Sequence, residues 1–202
     1  MPCNHKFIND LQLDYVDWNV KTLFIGTFNP GWIRCPNNYA NWFYGRTNRN
    51  EFWKILPIIY HQEPLLNGNR NIWIEFCRQN EIAITDIIES IDAEENNPEH
   101  LQIICRFRDD QLGNFNNTIN DVPAILDKFK SIKQICITRQ TLTPFVENCF
   151  ADTFQYINNH PERNFILNRL RSPSRGAING VVGEFGEFVA QKWLEKGYLV
   201  NP

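Results

Sequence analysis

Four short apolar runs constrain this chain more than any other feature: Thr22–Ile25 (TLFI), Ile82–Thr85 (IAIT), Ile135–Thr138 (ICIT) and Phe165–Leu167 (FIL). Each is short and apolar throughout, which predicts strands buried on both faces. Segments with helical spacing lie between them. After Asn50, Phe52, Trp53, Leu56 and Ile59 or Tyr60 recur at intervals of three and four, and Pro57 should bend or shorten that helix. Asn71–Gln79 predicts a second helix. Asp121 is placed to cap a third, with Pro123 near its first turn. Thr143-Pro144 opens another that runs to about Phe150, and a last one covers roughly Gly183–Glu195. This alternation predicts a three-layer α/β/α fold with a central, mainly parallel four-stranded sheet and right-handed crossovers.

The remaining segments read as irregular. Residues 1–20 space Phe7, Leu11, Leu13, Tyr15 and Trp18 like an edge packed on the main body. Glu89–His100 is an acidic surface excursion, and 108–120 is a loop rich in Asn and Asp. No repeat, low-complexity tract or linker divides the sequence, so residues 1–202 are expected to form one domain. The six cysteines include no Cys-x-x-Cys pair, so neither a metal site nor any cofactor is expected. Cys77, Cys105, Cys136 and Cys149 sit among apolar residues as core positions. A reduced, cytoplasmic protein follows as an expectation, without signal core or membrane span.

In a parallel sheet, the loops after the strands converge at one edge. Here those loops are Gly26–Arg49, Asp86–Glu89, Arg139–Thr141 and Asn168–Gly180. The net charge of −3 gives no overall case for a nucleic-acid partner, yet basic residues concentrate in two of these loops. Arg34, Arg46 and Arg49 are in the first; Arg169, Arg171 and Arg175 are in the last, with Arg163 just upstream. Arginines favour surface loops in any case, but a phosphate-facing edge explains the clustering better. The first loop also holds Trp32, Tyr39, Trp42, Phe43 and Tyr44, which suits stacking on flat rings.

The turn Gly26-Thr27-Phe28-Asn29-Pro30-Gly31, the segment Phe43-Tyr44-Gly45-Arg46 with Asn50-Glu51-Phe52-Trp53, and the loop Leu170-Arg171-Ser172-Pro173-Ser174-Arg175 together resemble the uracil-DNA glycosylase superfamily. The nearest branches are the mismatch-specific (thymine/uracil) and hypoxanthine-DNA glycosylases. Members carry a Gly-x-Asn-Pro-Gly type turn after the first strand, an aromatic segment ending Asn-x-Phe-Trp, and a late Pro-Ser-x-Ser loop that inserts into DNA. Here three residues separate Gly26 from Pro30 instead of two, one extra residue separates Arg46 from Asn50, and Arg171 stands where the family has Pro.

The resemblance implies base-excision repair: hydrolysis of the N-glycosidic bond of a flipped-out uracil or hypoxanthine in DNA, by a monomer without a Schiff base. By the mismatch branch the water-positioning residue is Asn29; by the hypoxanthine branch it is Asn50, which equally suits the N-cap of the following helix. Tyr44 matches the stacking aromatic, with Phe28 as its alternative. Asp86 and main-chain groups around Thr27–Asn29 are placed to bind the base edge, although Asp86 also suits a helix N-cap. Arg46, Arg49, Arg171, Ser172, Ser174 and Arg175 would contact DNA, with Arg175, chosen for its side-chain length, or a neighbour in its loop as the wedge. The alternatives are a non-catalytic nucleic-acid or nucleotide-binding module on the same fold, or an α/β enzyme acting on a free nucleoside or sugar.

Overall fold

Every residue except Met1, Pro36, Asn37, Phe107 and Arg108 is described by the structure, a computed structural model, as are all side chains of the rest save Asp109 and Asp110. The expected loop position Arg108 thus lies outside the described residues. In chain order the strands are β1 (Cys3–Asn4), β2 (Thr22–Gly26), β3 (Ile82–Asp86), β4 (Ile88–Ile91), β5 (Asn117–Ile119), β6 (Gln134–Ile137) and β7 (Ile166–Arg169). The apolar runs become β2, β3, β6 and β7, a parallel sheet ordered β3-β2-β6-β7. The last strand runs two residues further than its apolar core suggested, because Asn168 and Arg169 pair with Cys136 and Ile137. Asn168 and Arg169 are therefore strand residues, and the loop begins at Leu170.

Alternation along the strands divides the core in two. Leu23, Ile25, Ala83, Ile135 and Ile137 point to one face. Phe24, Ile82, Ile84 and Cys136 point to the other. Helices α4 (Val122–Lys128), α5 (Pro144–Cys149) and α6 (Ala151–Asn159) cover the first face with Ile125, Leu126, Val146 and Phe154. Helices α1 (Phe52–Ile59), α2 (Arg70–Gln79) and α7 (Phe185–Glu195) cover the second with Trp53, Trp73 and Trp193. The architecture is the expected α/β/α. The segment expected to be one helix from Pro144 to Phe150 is followed at once by α6, which the sequence reading did not contain.

Pro57 does not end α1. It lacks the N–H that would bond the carbonyl of Trp53, and that carbonyl accepts instead from the Leu65 N–H at 2.7 Å. Asp121 caps α4 as expected, accepting from the Ala124 N–H at 3.0 Å.

A second, antiparallel sheet was not foreseen. Its order is β1-β4-β5. It takes in the stretches expected as an acidic excursion and an Asn-rich loop, together with helix α3 (Pro98–Cys105), which Asn97 caps. A correction also concerns cysteine. Cys105 is not a free core thiol: it forms a disulfide with Cys35, 70 residues away. Cys3, Cys77, Cys136 and Cys149 are free and buried.

Candidate active site

The order β3-β2-β6-β7 places a topological switch point beside β2: one connection leads from β2 to β3 on one side, the next to β6 on the other. A crevice opens where the loops after such strands diverge. A cleft of about 490 Å³ lies there, bounded by the turn after β2, the end of β3, Thr138–Thr141 after β6, and the loop after β7. Most of the sequence-predicted residues border it: Thr27, Phe28, Asn29, Tyr44, Arg46, Arg49, Asn50, Asp86, Arg171, Ser172 and Ser174.

The far ends of the chain meet through a short antiparallel contact. Asn50 and Ser174 form an isolated bridge. The Glu51 N–H donates to Pro173 O at 2.9 Å, and the Arg175 N–H donates to Arg49 O at 3.0 Å. Asn50 therefore sits at the rim with its side-chain Oδ1 accepting from the Phe52 N–H at 2.9 Å. The bond leads into α1, but the N-cap position itself is Glu51, whose side chain makes no cap bond, so Asn50 sits one residue outside the cap expected of it. Asn29 differs: its Oδ1 is buried and no described group donates to it.

Tyr44 adopts a left-handed backbone, φ 57°, which costs a bulky residue roughly 1–2 kcal/mol. The conformation lays its ring on Phe52, centroids 4.0 Å apart and planes within 9°. Its hydroxyl lies 2.9 Å from Thr138 Oγ1. Phe28 packs edge-on against His5 at 5.7 Å.

Asp86 does not cap a helix, since β4 follows it directly. Its Oδ2 accepts from His5 Nε2 at 2.8 Å. His5 belongs to none of the sequence motifs; it reaches the site because β1 pairs with β4 and its own backbone bridges Pro30. The position of Gly26 explains its identity. A Cβ there would meet Asp86 Oδ1 at 2.2 Å and the Tyr44 hydroxyl at 2.8 Å.

Among the described residues, four arginines border the cleft (46, 49, 139 and 171) against one carboxylate, Asp86. Burial lowers the pKa of Arg46; Tyr39 opposes this and Arg49 adds to it. The guanidinium remains cationic, as arginine does in proteins. Arg171 donates to the carbonyls of Ala177 and Asn179 at 2.7 and 2.6 Å, folding its own loop. Several basic residues lie elsewhere. Arg175 is absent from the cleft lining and its Nε contacts Glu51 at 2.7 Å. Arg163 braces the carbonyls of Leu126 and Lys130, ahead of β7 instead of after it. Arg169 pairs with Glu147 at 3.5 Å, and Arg34 approaches Glu95.

No protein family matches the sequence, and no curated protein does. The fold is similar to the solution NMR structure of a "putative uracil DNA glycosylase" from Methanosarcina acetivorans. The TM-score is 0.52 at 15% identity, covering 87% of this chain and 90% of that one.

Proposed function

We propose that this chain is a monofunctional DNA glycosylase, a monomer that hydrolyses the N-glycosidic bond of a damaged base flipped out of DNA. The observation that carries the reading is convergence. The aromatic Tyr44, the asparagines Asn29 and Asn50, the buried carboxylate of Asp86 and the arginines 46, 49, 139 and 171, drawn from separate strand ends, border one cleft at a sheet switch point. The similar fold of a protein described as a uracil DNA glycosylase supports the same reading, and so do the motifs. They imply uracil or hypoxanthine as the base. Such chemistry requires an intracellular location with access to DNA.

The arginines hold the phosphates on either side of the target. Flipping costs a few kcal/mol of lost stacking, least for a damaged base. Tyr44, which lines the cleft and is backed by Phe52 on one face of its ring, receives the base. Arg175 is committed to Glu51, so the wedge passes to Ile178, which is exposed between the cleft residues Ala177 and Asn179.

The C1′–N bond then breaks, its electron pair leaving on the base. A water forms the new C1′–O bond. Asn29 Oδ1, a buried acceptor without a donor, accepts a hydrogen bond from that water and directs its lone pair at C1′. Asn50 has its Oδ1 already engaged by the Phe52 N–H, which makes it the weaker candidate. An amide cannot take up the proton, which passes to the departing base or to solvent. The arrangement therefore suits bases that leave readily. Among the described residues no lysine borders the cleft, and the hydrolysis needs none.

The test is a set of duplex and single-stranded oligonucleotides, each with one uracil, hypoxanthine, thymine mismatch or oxidised or alkylated guanine, followed by alkaline cleavage. Strand scission at one lesion is expected. Binding without scission on any of them would favour the non-catalytic module, and neither binding nor scission would overturn both.

A further inference from the structure

The hydrogen-bond polarity of the cleft floor specifies which base edge it can hold. His5 and Asp86 form a pair with side chains 0% and 6% exposed. The Phe7 N–H donates to His5 Nδ1 at 3.0 Å. A ring nitrogen that accepts carries no proton, so the imidazole proton is on Nε2 and donates to Asp86 Oδ2 at 2.8 Å. The rings of Phe7, Phe28 and Phe43 pack around the imidazole at 5.6–5.7 Å and hold its orientation. Asp86 is pinned at one oxygen. The other, Oδ1, lies over Gly26 beside the Tyr44 hydroxyl. A carboxylate offers acceptors only. The Thr138 hydroxyl, 2.9 Å from that of Tyr44, borders the same cleft and can donate to a carbonyl of the base.

From this we infer that the cleft takes a guanine-type edge: a ring N–H and an adjacent exocyclic amino group directed at Asp86, with the neighbouring carbonyl at the Thr138 hydroxyl. The inference rests on the cleft being the base-receiving site, and it changes the substrate class from a deaminated base to an alkylated or oxidised guanine. Uracil presents one N–H between two carbonyls. One of those carbonyls would face the carboxylate, acceptor against acceptor. Hypoxanthine has the ring N–H and the carbonyl but no amino group, so half of the donor pair is missing. A site built around a buried polar group discriminates strongly against an analogue that leaves it unpaired.

Binding of nucleosides to the intact protein, followed by NMR chemical-shift titration, tests this apart from any cleavage. Guanosine should bind about tenfold or more tightly than inosine, which differs only by the amino group, and than 1-methylguanosine, which lacks the ring N–H. Equal affinities would overturn the inference, and this comparison needs no variant. Asp86→Asn sharpens it. His5 would hold the amide oxygen, turning the amide N–H₂ into the cleft, so the preference should invert toward inosine and uridine. A folded Asp86→Asn protein that still prefers guanosine would also overturn it. His5→Gln keeps a donor toward Asp86 and should retain the guanosine preference, whereas His5→Phe should lose most of it. A guanosine preference without cleavage of any lesion would sink the glycosylase reading and leave this one standing. Uracil excision without a guanosine preference would do the reverse.

Discussion

Glu51 holds Arg175 across a 2.7 Å contact in which the carboxylate is 3% exposed and the guanidinium 55%. The other carboxylate oxygen, Oε2, is buried without a partner. Arg175 thus straps the loop after β7 to the start of α1. Its removal leaves a buried carboxylate with neither oxygen bonded. Arg175→Ala should cost about 1–3 kcal/mol in urea unfolding. The half-exposed cation keeps this below the roughly 3–5 kcal/mol of a fully buried pair. Glu51→Gln should cost less, because an amide oxygen still accepts from Nε.

The wedge assignment separates from that stability effect. Ile178 is 59% exposed and belongs to neither hydrophobic core of the free protein. Ile178→Ala should leave the unfolding midpoint within about 0.5 kcal/mol of the parent. It should nonetheless weaken binding to a duplex carrying an abasic site, measured by fluorescence anisotropy. An unchanged affinity would return the wedge role to another residue of the loop.

The two asparagines can be told apart by what each already does. Asn29→Ala removes the free acceptor at the cleft and should slow excision about a hundredfold or more, with DNA affinity little changed. Asn50→Ala removes the bond to the Phe52 N–H and should cost about 1 kcal/mol of stability, with a smaller loss of rate. Single-turnover kinetics beside thermal melts resolve the two. The opposite ranking would make Asn50 the residue that positions water.

The parallel sheet was legible because β2, β3 and β6 are buried along their whole length and carry nearly unbroken apolar runs, while β7, half-exposed at the sheet edge, showed only through its short Phe165–Leu167 run. The antiparallel sheet was not. β4 carries Glu89 and Ser90 between its isoleucines, and β5 is three residues long in an Asn-rich stretch. Both exist through pairing with partners that local composition does not reveal. The same distinction runs through the site. Tyr44, Asn50 and Ser172–Ser174 belong to local motifs, and they do border the cleft. His5 reaches Asp86 across 81 positions, and its tautomer is set by one backbone N–H, so no local signal marks it. The length of the Arg175 side chain suits a wedge but carries no information about the buried Glu51 it meets.

Tyr44 offers a further test. If the base stacks on its ring, Tyr44→Phe should keep most of the affinity for a lesion-bearing oligonucleotide, losing only the contact to Thr138. Tyr44→Ala should lose about 1–3 kcal/mol, the usual worth of one base–aromatic stack. The left-handed backbone adds a second expectation. Tyr44→Gly removes the same ring but relieves strain, so it should be more stable than Tyr44→Ala by roughly 1 kcal/mol.

The cysteines make the last prediction. The Cys35–Cys105 disulfide closes a loop of 70 residues, and in the chain-entropy account a loop of that size is worth about 4 kcal/mol. Peptide mapping without reductant should recover Cys35 joined to Cys105. The paired Cys35→Ser, Cys105→Ser protein should melt lower than the parent, and reductant should lower the parent but not the variant. The four free thiols should behave differently. Burial raises the Cys3 thiol to about 11 and pushes Cys77 and Cys136 higher still. Little thiolate exists at neutral pH to react, so alkylation of these three should be slow in the native protein and rapid in urea. Fast native labelling of Cys77 or Cys136 would mean that the core around β6 and α2 opens far more readily than its packing implies.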